Sequence, residues 1–263
     1  MTQTIPVSAF MKYLGTLEKS WKGAKTAFRS YIWDLGGFDN MTREDLIDCA
    51  YSFATIYGEG SAAMATEFYN AVAILENAPV PPAVPAETVS YDEVARTING
   101  ILKDTTSEAI IENAVSLMVK KTGMQTIIEN ARRDNAQIAY IPHGDTCAFC
   151  ITLGSRGWLD ANSTELATKD GEPIHIHANC DCTYGVRFSD NLKYKGYEPA
   201  EYERMYYDAP LREGEKPNSK NRINALRRQA YQKNKDKINA QKRDRYEKTK
   251  ELNSSKAEEI DVN

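Results

Sequence analysis

Apolar residues near the start of the chain recur at alternating intervals of four and three: Phe10, Leu14, Leu17, Trp21, Ala24, Phe28 and Tyr31. That spacing places them along one seam of an α-helix, which Met11, Tyr13 and Ile32 widen. The run Gly36, Gly37, Phe38 ends the helix, and Thr42 offers an N-cap to a second one with Asp45 in its first turn. Leu46, Cys49, Phe53, Ile56 and Tyr57 continue at helical spacing. "GEG" at 58–60 marks a place where this second helix bends or splits, and Ala65, Phe68, Val72 and Leu75 resume the pattern. Residues 1–78 therefore read as a helical arm or hairpin of two long antiparallel helices. Trp21, Phe28, Tyr31 and Trp33 put large aromatics on or near one helix, either to contact a partner or to pack against residues 46–75.

"APVPPAVPAE" follows at 78–87, so residues 79–88 are expected to form an extended, stiff linker. Residues 89–138 return to helical periodicity. Ser90 and Glu93 make a capping box for a helix with Val94, Ile98, Ile101 and Leu102 on its apolar face. Ile110, Ala114, Leu117 and Met118 form the next helix, which Gly123 is expected to stop. Ile127, Ile128, Ala131 and Ile138 are assigned to a further one. From 139 to 190 the pattern changes to short β-like pieces, turns and glycines. Residues 191–263 begin with a tyrosine-rich helix for which Pro199 is an acceptable first residue. They end in a lysine-, asparagine- and glutamine-rich tail where Ile223, Leu226, Ala230, Ile238 and Tyr246 are too sparse for a core-facing helix. Such a tail is a solvated helix or disordered. The fold class is mostly α: long N-terminal helices, a small α+β module, and a charged C-terminal tail.

Composition adds limits. The 263 residues, 41% apolar and 27% charged, are those of a chain able to bury a core, with no apolar run long enough to span a membrane. "MTQTIPVSAFMKYL" lacks the basic and apolar regions of a secretion signal. The net charge of −4 divides unevenly. Residues 213–250 hold 13 basic and 5 acidic residues, a net of +8, and the remainder holds 20 basic and 32 acidic, a net of −12. An acidic body with a basic tail points to a separate partner for the tail, and non-specific DNA contact through residues 213–250 is the expectation.

Chemistry concentrates in two short stretches. "CAFC" supplies Cys147 and Cys150; "HIHANCDC" supplies His175, His177, Cys180 and Cys182. A C-x2-C pair followed by H-x2-C-x-C, in a chain with no secretion signal, favours a metal over disulfides. Zinc takes four such ligands at tetrahedral corners, and the 26 residues between Cys150 and His177 become a loop that the metal closes. Five candidates compete for four positions: Cys147, Cys150, His177, Cys180 and Cys182. His175 is a reserve, and His143 in "IPHGD" reads as a turn or supporting group. A thiolate-rich set of four makes zinc a poor Lewis acid, so one structural rather than catalytic Zn2+ is expected. Asp145 and Asp181 read as turn residues, and Cys49 as a buried small apolar residue. No nucleophile–base pair is legible, so the chain is not expected to be an enzyme.

"ARRDNAQIAYIPHGDTCAFCITLGSRGW" and "KDGEPIHIHANCDCTYGVRF" resemble the C-terminal motif of phage minor head proteins of the Mu F-like family. The resemblance runs through Cys147, Cys150, Leu153, Ser155, Arg156, Gly157, His177, Cys180 and Cys182, over about 60 residues from Ala131 to Phe188. It implies a structural minor capsid protein inside the head of a tailed phage. The implied partners are the portal or the major capsid protein, the implied role lies in head morphogenesis, DNA packaging or ejection, and the implied location is the virion, after assembly in the host cytoplasm. The competing reading is a zinc-stabilised HNH-like nuclease. That site needs a general-base histidine and a further histidine or asparagine on a following helix, and only His143 and His175 are spare.

Overall fold

The structure is a computed structural model that describes residues 3–5, 7–104, 107–143, 147–163, 182–218 and 220–235, together with Asn239 and Arg243. It is mostly helical with a small sheet. Strand β1 (Gln3–Ile5) leads into α1 (Val7–Asp34), which turns through a short 3-10 segment (Phe38–Asn40) into α2 (Arg43–Glu76). Then come α3 (Tyr91–Asp104), α4 (Glu108–Arg133), β2 (Gln137–Ile141), α5 (Ala148–Gly154), β3 (Leu159–Asp160), β4 (Thr183–Arg187), β5 (Leu192–Tyr194) and α6 (Pro199–Asp208). Residues 220–235 form a last helix, α7.

The predicted hairpin is present. On α1, Leu17, Trp21, Ala24 and Phe28 are buried, and the seam continues into Ile32 rather than Tyr31. Tyr31 and Trp33 are instead 45% and 65% exposed; the side chains of Phe10, Met11 and Leu14 lie outside the described residues. Thr42 caps α2 as a full capping box: its hydroxyl accepts from Asp45 N–H at 3.1 Å, and the Asp45 carboxylate accepts from Thr42 N–H at 3.1 Å. The Thr42 hydroxyl, which also donates to the Asp45 carboxylate at 2.5 Å, and then the Thr42 N–H hold that carboxyl below its ordinary value. The buried face of α2 differs from the expected one. Ile56 is 66% exposed, and the contact surface is a row of small residues: Ala50, Ala54, Gly58, Ser61, Ala62 and Ala65. α2 runs unbroken through "GEG".

The small row exists because α4 lies against it. α4 is one continuous helix, not two, and Gly123 is its point of closest approach rather than its end. A Cβ built on Gly123 would stand 2.4 Å from Ser61 Oγ and 3.2 Å from Ser61 O. α4 is buried nearly all round, the mark of a central helix. Even Glu112 is 1% exposed there. Its carboxylate accepts both arms of the Arg29 guanidinium from α1, the Nε contact being 2.5 Å. The bidentate pair meets the demand that a buried charge be partnered. Ile138, assigned from the sequence to a helix, lies in β2. Asn135 in the left-handed conformation (φ 51°) and the bond from Ala136 N–H to Ala131 O at 2.8 Å end α4 before it.

The proline-rich segment is extended and held along its length. Ala83, Ala86 and Val89 are buried, every third residue, which is the period of a polyproline-type strand. Asn70 Oδ1 accepts from Ala83 N–H, and Asn130 bonds both the N–H and the C=O of Val84. Thr126 Oγ1 accepts from Ala86 N–H, and the Arg133 guanidinium donates to Pro81 O and Pro82 O. The strap runs back along α2 until Tyr91 Oη donates to Asp48 at 2.7 Å. Lengths explain the match. From 77 to 91 an extended chain covers about 43 Å at ~3.1 Å per residue, and α2 from 48 to 77 rises about 43 Å at ~1.5 Å per residue.

Two small sheets complete the fold. β2 is the centre of an antiparallel β3-β2-β4 sheet, and β1 pairs in parallel with β5. The C-terminal half of α2 packs onto them. Tyr69 meets Phe188, Phe68 meets Tyr194, and Glu76 accepts from Phe188 N–H at 2.7 Å and from the Ser189 hydroxyl at 2.6 Å. One buried apolar cluster accordingly runs from Tyr13 to Tyr197. A second joins Ala148 of α5, Ala209 after α6, and Ala225 and Leu226 of α7. The first part of the tail is thus a docked helix, which corrects the expectation of a wholly solvated or disordered segment. The pattern was sparse because alanines do much of the packing. Among the described residues no helix is long and apolar enough to cross a membrane.

Candidate metal centre

The sheet's antiparallel order creates the site. Ile141, the last residue of β2, pairs with Thr183, the first of β4. The start of α5 and the residue preceding β4 occupy the same corner. Cys147 is the N-cap of α5 (φ −77°, ψ 161°), and Cys150 lies in its first turn. Helical spacing of three brings both sulfurs to one side, with Sγ atoms 3.3 Å apart. Cys182 immediately precedes β4 and packs against this pair; Cys150 and Cys182 are buried and Cys147 is half-buried. Three thiols separated by up to 35 residues thus converge.

The 3.3 Å separation is well beyond the ~2.05 Å of a disulfide. Two thiolates on one tetrahedral zinc, each about 2.3 Å from the ion, stand roughly 3.8 Å apart. The pair is therefore about half an ångström short of ligand spacing, and thiol donors are of the kind zinc takes. Among the described residues no group of three or more His, Cys, Asp or Glu side chains is arranged to hold a metal ion. His175, His177, Cys180 and Asp181 fall within 164–181, and Asp145 within 144–146, both outside the described residues. His143 is half-buried two residues beyond β2. Cys49 packs against the main core instead, half-buried on α2, and burial pushes its thiol pKa up.

Tyrosines that no spacing rule singled out surround the corner. Tyr140 and Tyr184 face each other across β2 and β4, with Tyr184 Oη donating to Tyr140 Oη at 2.5 Å. Burial raises both phenols well above the ordinary range, and the Cys150 charge adds a smaller upward push on Tyr140. Tyr202 of α6 is raised first by burial and then by the Cys182 charge. No alternation marks them in the sequence: Tyr140 stands between Ala139 and Ile141, and Tyr184 between Thr183 and Gly185, so each reads as ordinary strand packing. The "LGSRGW" stretch is structural here. Gly154 sits where a Cβ would be 2.7 Å from Pro142, its carbonyl accepts from Tyr197 Oη at 3.0 Å, and Trp158 lies beneath the Arg187 guanidinium at 4.6 Å.

Comparison with known proteins adds one finding. No curated protein and no solved structure matches the chain. A family model described as VG15 protein matches residues 2–209, a span that takes in every element from β1 to α6 and the whole cysteine corner. By that match the chain belongs to the VG15 protein family, a family of phage proteins.

Proposed function

We propose that this phage protein is a non-enzymatic minor capsid protein of the Mu F-like kind, placed at the portal vertex or head interior and pinned at its C-terminal side by one structural zinc. The observation that carries the reading is the convergence of Cys147, Cys150 and Cys182 within the segment that resembles those proteins. Four of Cys147, Cys150, His177, Cys180 and Cys182 would hold the ion, which would supply folding free energy and close the loop between its two ligand pairs. Tyr31, Trp33 and Leu35, exposed together at the tip of the α1–α2 hairpin, are the surface offered to the portal or the major capsid protein.

Metal analysis of the purified protein is expected to give about one zinc per chain, falling in Cys147→Ser and Cys150→Ser. Fractionated phage heads are expected to contain the wild-type chain and to lose it when Trp33→Ser is combined with Tyr31→Ser. A folded protein without zinc removes the metal assignment. Undiminished incorporation of the double variant removes the hairpin tip as the docking surface. Metal-dependent nicking of plasmid DNA by the pure protein would sink the non-enzymatic reading in favour of a nuclease.

A further inference from the structure

α7 lies beyond the segment that matches the family, and it divides its basic residues into two sets. One face is spent on the body: Ala225 and Leu226 are buried, with Ile223 half-buried beside them. Arg222 and Arg228 flank that face and are turned inward. The Arg222 guanidinium donates to Tyr207 O and Ala209 O and lies over the Tyr207 ring. Arg228 donates to both Glu215 oxygens, at 3.1 and 2.7 Å, and to Pro210 O at 3.4 Å. These two arginines hold the helix on the molecule.

The opposite face is different. Lys220, Asn224, Arg227, Tyr231 and Lys235 follow one another at steps of four, three, four and four, which keeps them in one row. Lys220, Arg227 and Lys235 are exposed, and Tyr231 is 41% exposed between them. Residues 216–235 contain seven basic residues and no acidic one. The body is acidic, yet the three cations of the row make no ion pair with it among the described residues. The row is about 22 Å long at ~1.5 Å per residue, the axial length of roughly six phosphates of one duplex strand.

We propose that this row is a nucleic-acid-binding ridge. Lys220, Arg227 and Lys235 contact backbone phosphates, and Tyr231 lies against the sugars or bases between them. Arg222 and Arg228 take no part beyond fixing the helix. An anionic membrane is a poorer fit, because a surface-lying helix needs an apolar face to bury in lipid, and α7 has committed its apolar face to α5 and α6. The row has no bidentate pairing geometry aimed at base edges, so sequence preference is absent. The inference does not depend on the zinc or portal assignments.

The test uses the full chain and a labelled mixed-sequence duplex across roughly 50 to 200 mM salt. Lys220→Gln, Arg227→Gln and Lys235→Gln are combined in one variant; glutamine preserves helix propensity at exposed positions, and circular dichroism checks the fold. Each lost phosphate contact lowers the salt slope by about 0.9, so the triple variant is expected to lose roughly 2.7 of slope and to bind on the order of a hundredfold more weakly. A charge control, Lys12→Gln with Lys19→Gln on exposed α1 positions, is expected to bind as wild type. Wild-type affinity and slope in the triple variant overturn the ridge. So does an equal loss in the control, which would make the effect one of net charge. Binding to phosphatidylserine vesicles that depends on the same three residues, without duplex binding, replaces nucleic acid with membrane.

Discussion

Tyr194 shows what single residues do in this molecule. Its hydroxyl donates to Val186 O at 2.5 Å and accepts from Val186 N–H at 3.1 Å, so one phenol satisfies the outer edge of β4 where another strand would otherwise pair. Only a neutral phenol can do both. Burial pushes the Tyr194 pKa far above the ordinary value, and burial is also the leading cause for Tyr184 and Tyr197. In the unfolded chain these phenols ionise near ~10. Above that pH the unfolded state has lost protons that the folded state keeps, so stability is fully present below pH ~10 and falls as pH rises. Three such groups contribute a slope of about 4 kcal/mol per pH unit. Denaturant titrations are expected to show that fall between pH ~10 and ~11, with phenolate absorbance of these tyrosines appearing together with loss of helical circular dichroism. Phenolate formation in a fully folded chain would contradict it. None of this could be read from spacing, because a tyrosine's partner is set by tertiary neighbours.

At the scale of elements, what was legible depended on residue size. The seam of α1 was visible because Leu17, Trp21 and Phe28 are large. The face of α2 was missed because its contact residues are alanine, glycine and serine, which hydrophobic periodicity barely weighs, while the large Ile56 on the same helix faces outward. Gly123 reads as a stop signal for the same reason. A glycine inside a helix costs about 1 kcal/mol relative to alanine, and from sequence alone that cost looks like a boundary. The geometry gives it a different meaning, which Gly123→Ala tests. Intrinsic propensity favours the change by about 1 kcal/mol, but the new Cβ would meet Ser61 Oγ at 2.4 Å and Ser61 O at 3.2 Å, so the hydroxyl must turn away and the α2 backbone give by a few tenths of an ångström. Overpacking of this kind costs ~1–3 kcal/mol, so a net loss of stability in urea melts is expected. Ser61 Oγ is buried with no hydrogen-bond partner among the described residues, so Ser61→Ala should be nearly neutral alone and should restore much of the loss in the double variant. A stabilised Gly123→Ala single variant would show that α2 and α4 are not in close contact there.

For the whole molecule, the sequence separated a helical arm, a linker and a cysteine module where the structure has contacts across every one of those boundaries. The linker is strapped to α2 and α4 by Asn70, Thr126, Asn130 and Arg133. Glu76 at the end of α2 anchors the segment after β4, and β1 at the N-terminus pairs with β5. Long-range pairing of this kind leaves no mark on local composition, whereas the cysteine spacing did, which is why the candidate site was legible and the packing around it was not. The same contacts bear on removal of the zinc proposed for the corner. If zinc pinned an independent module, chelation would melt residues 140–188 and leave the helices at their original midpoint. Because Phe68, Tyr69 and Glu76 of α2 share their packing with Phe188, Ser189 and Tyr194, loss of the corner should weaken the helices as well. The expected result is one transition, shifted to lower temperature by chelator, with helical and aromatic circular dichroism changing together. Two separated transitions would mean that the helices and the cysteine corner fold as independent units despite their shared core.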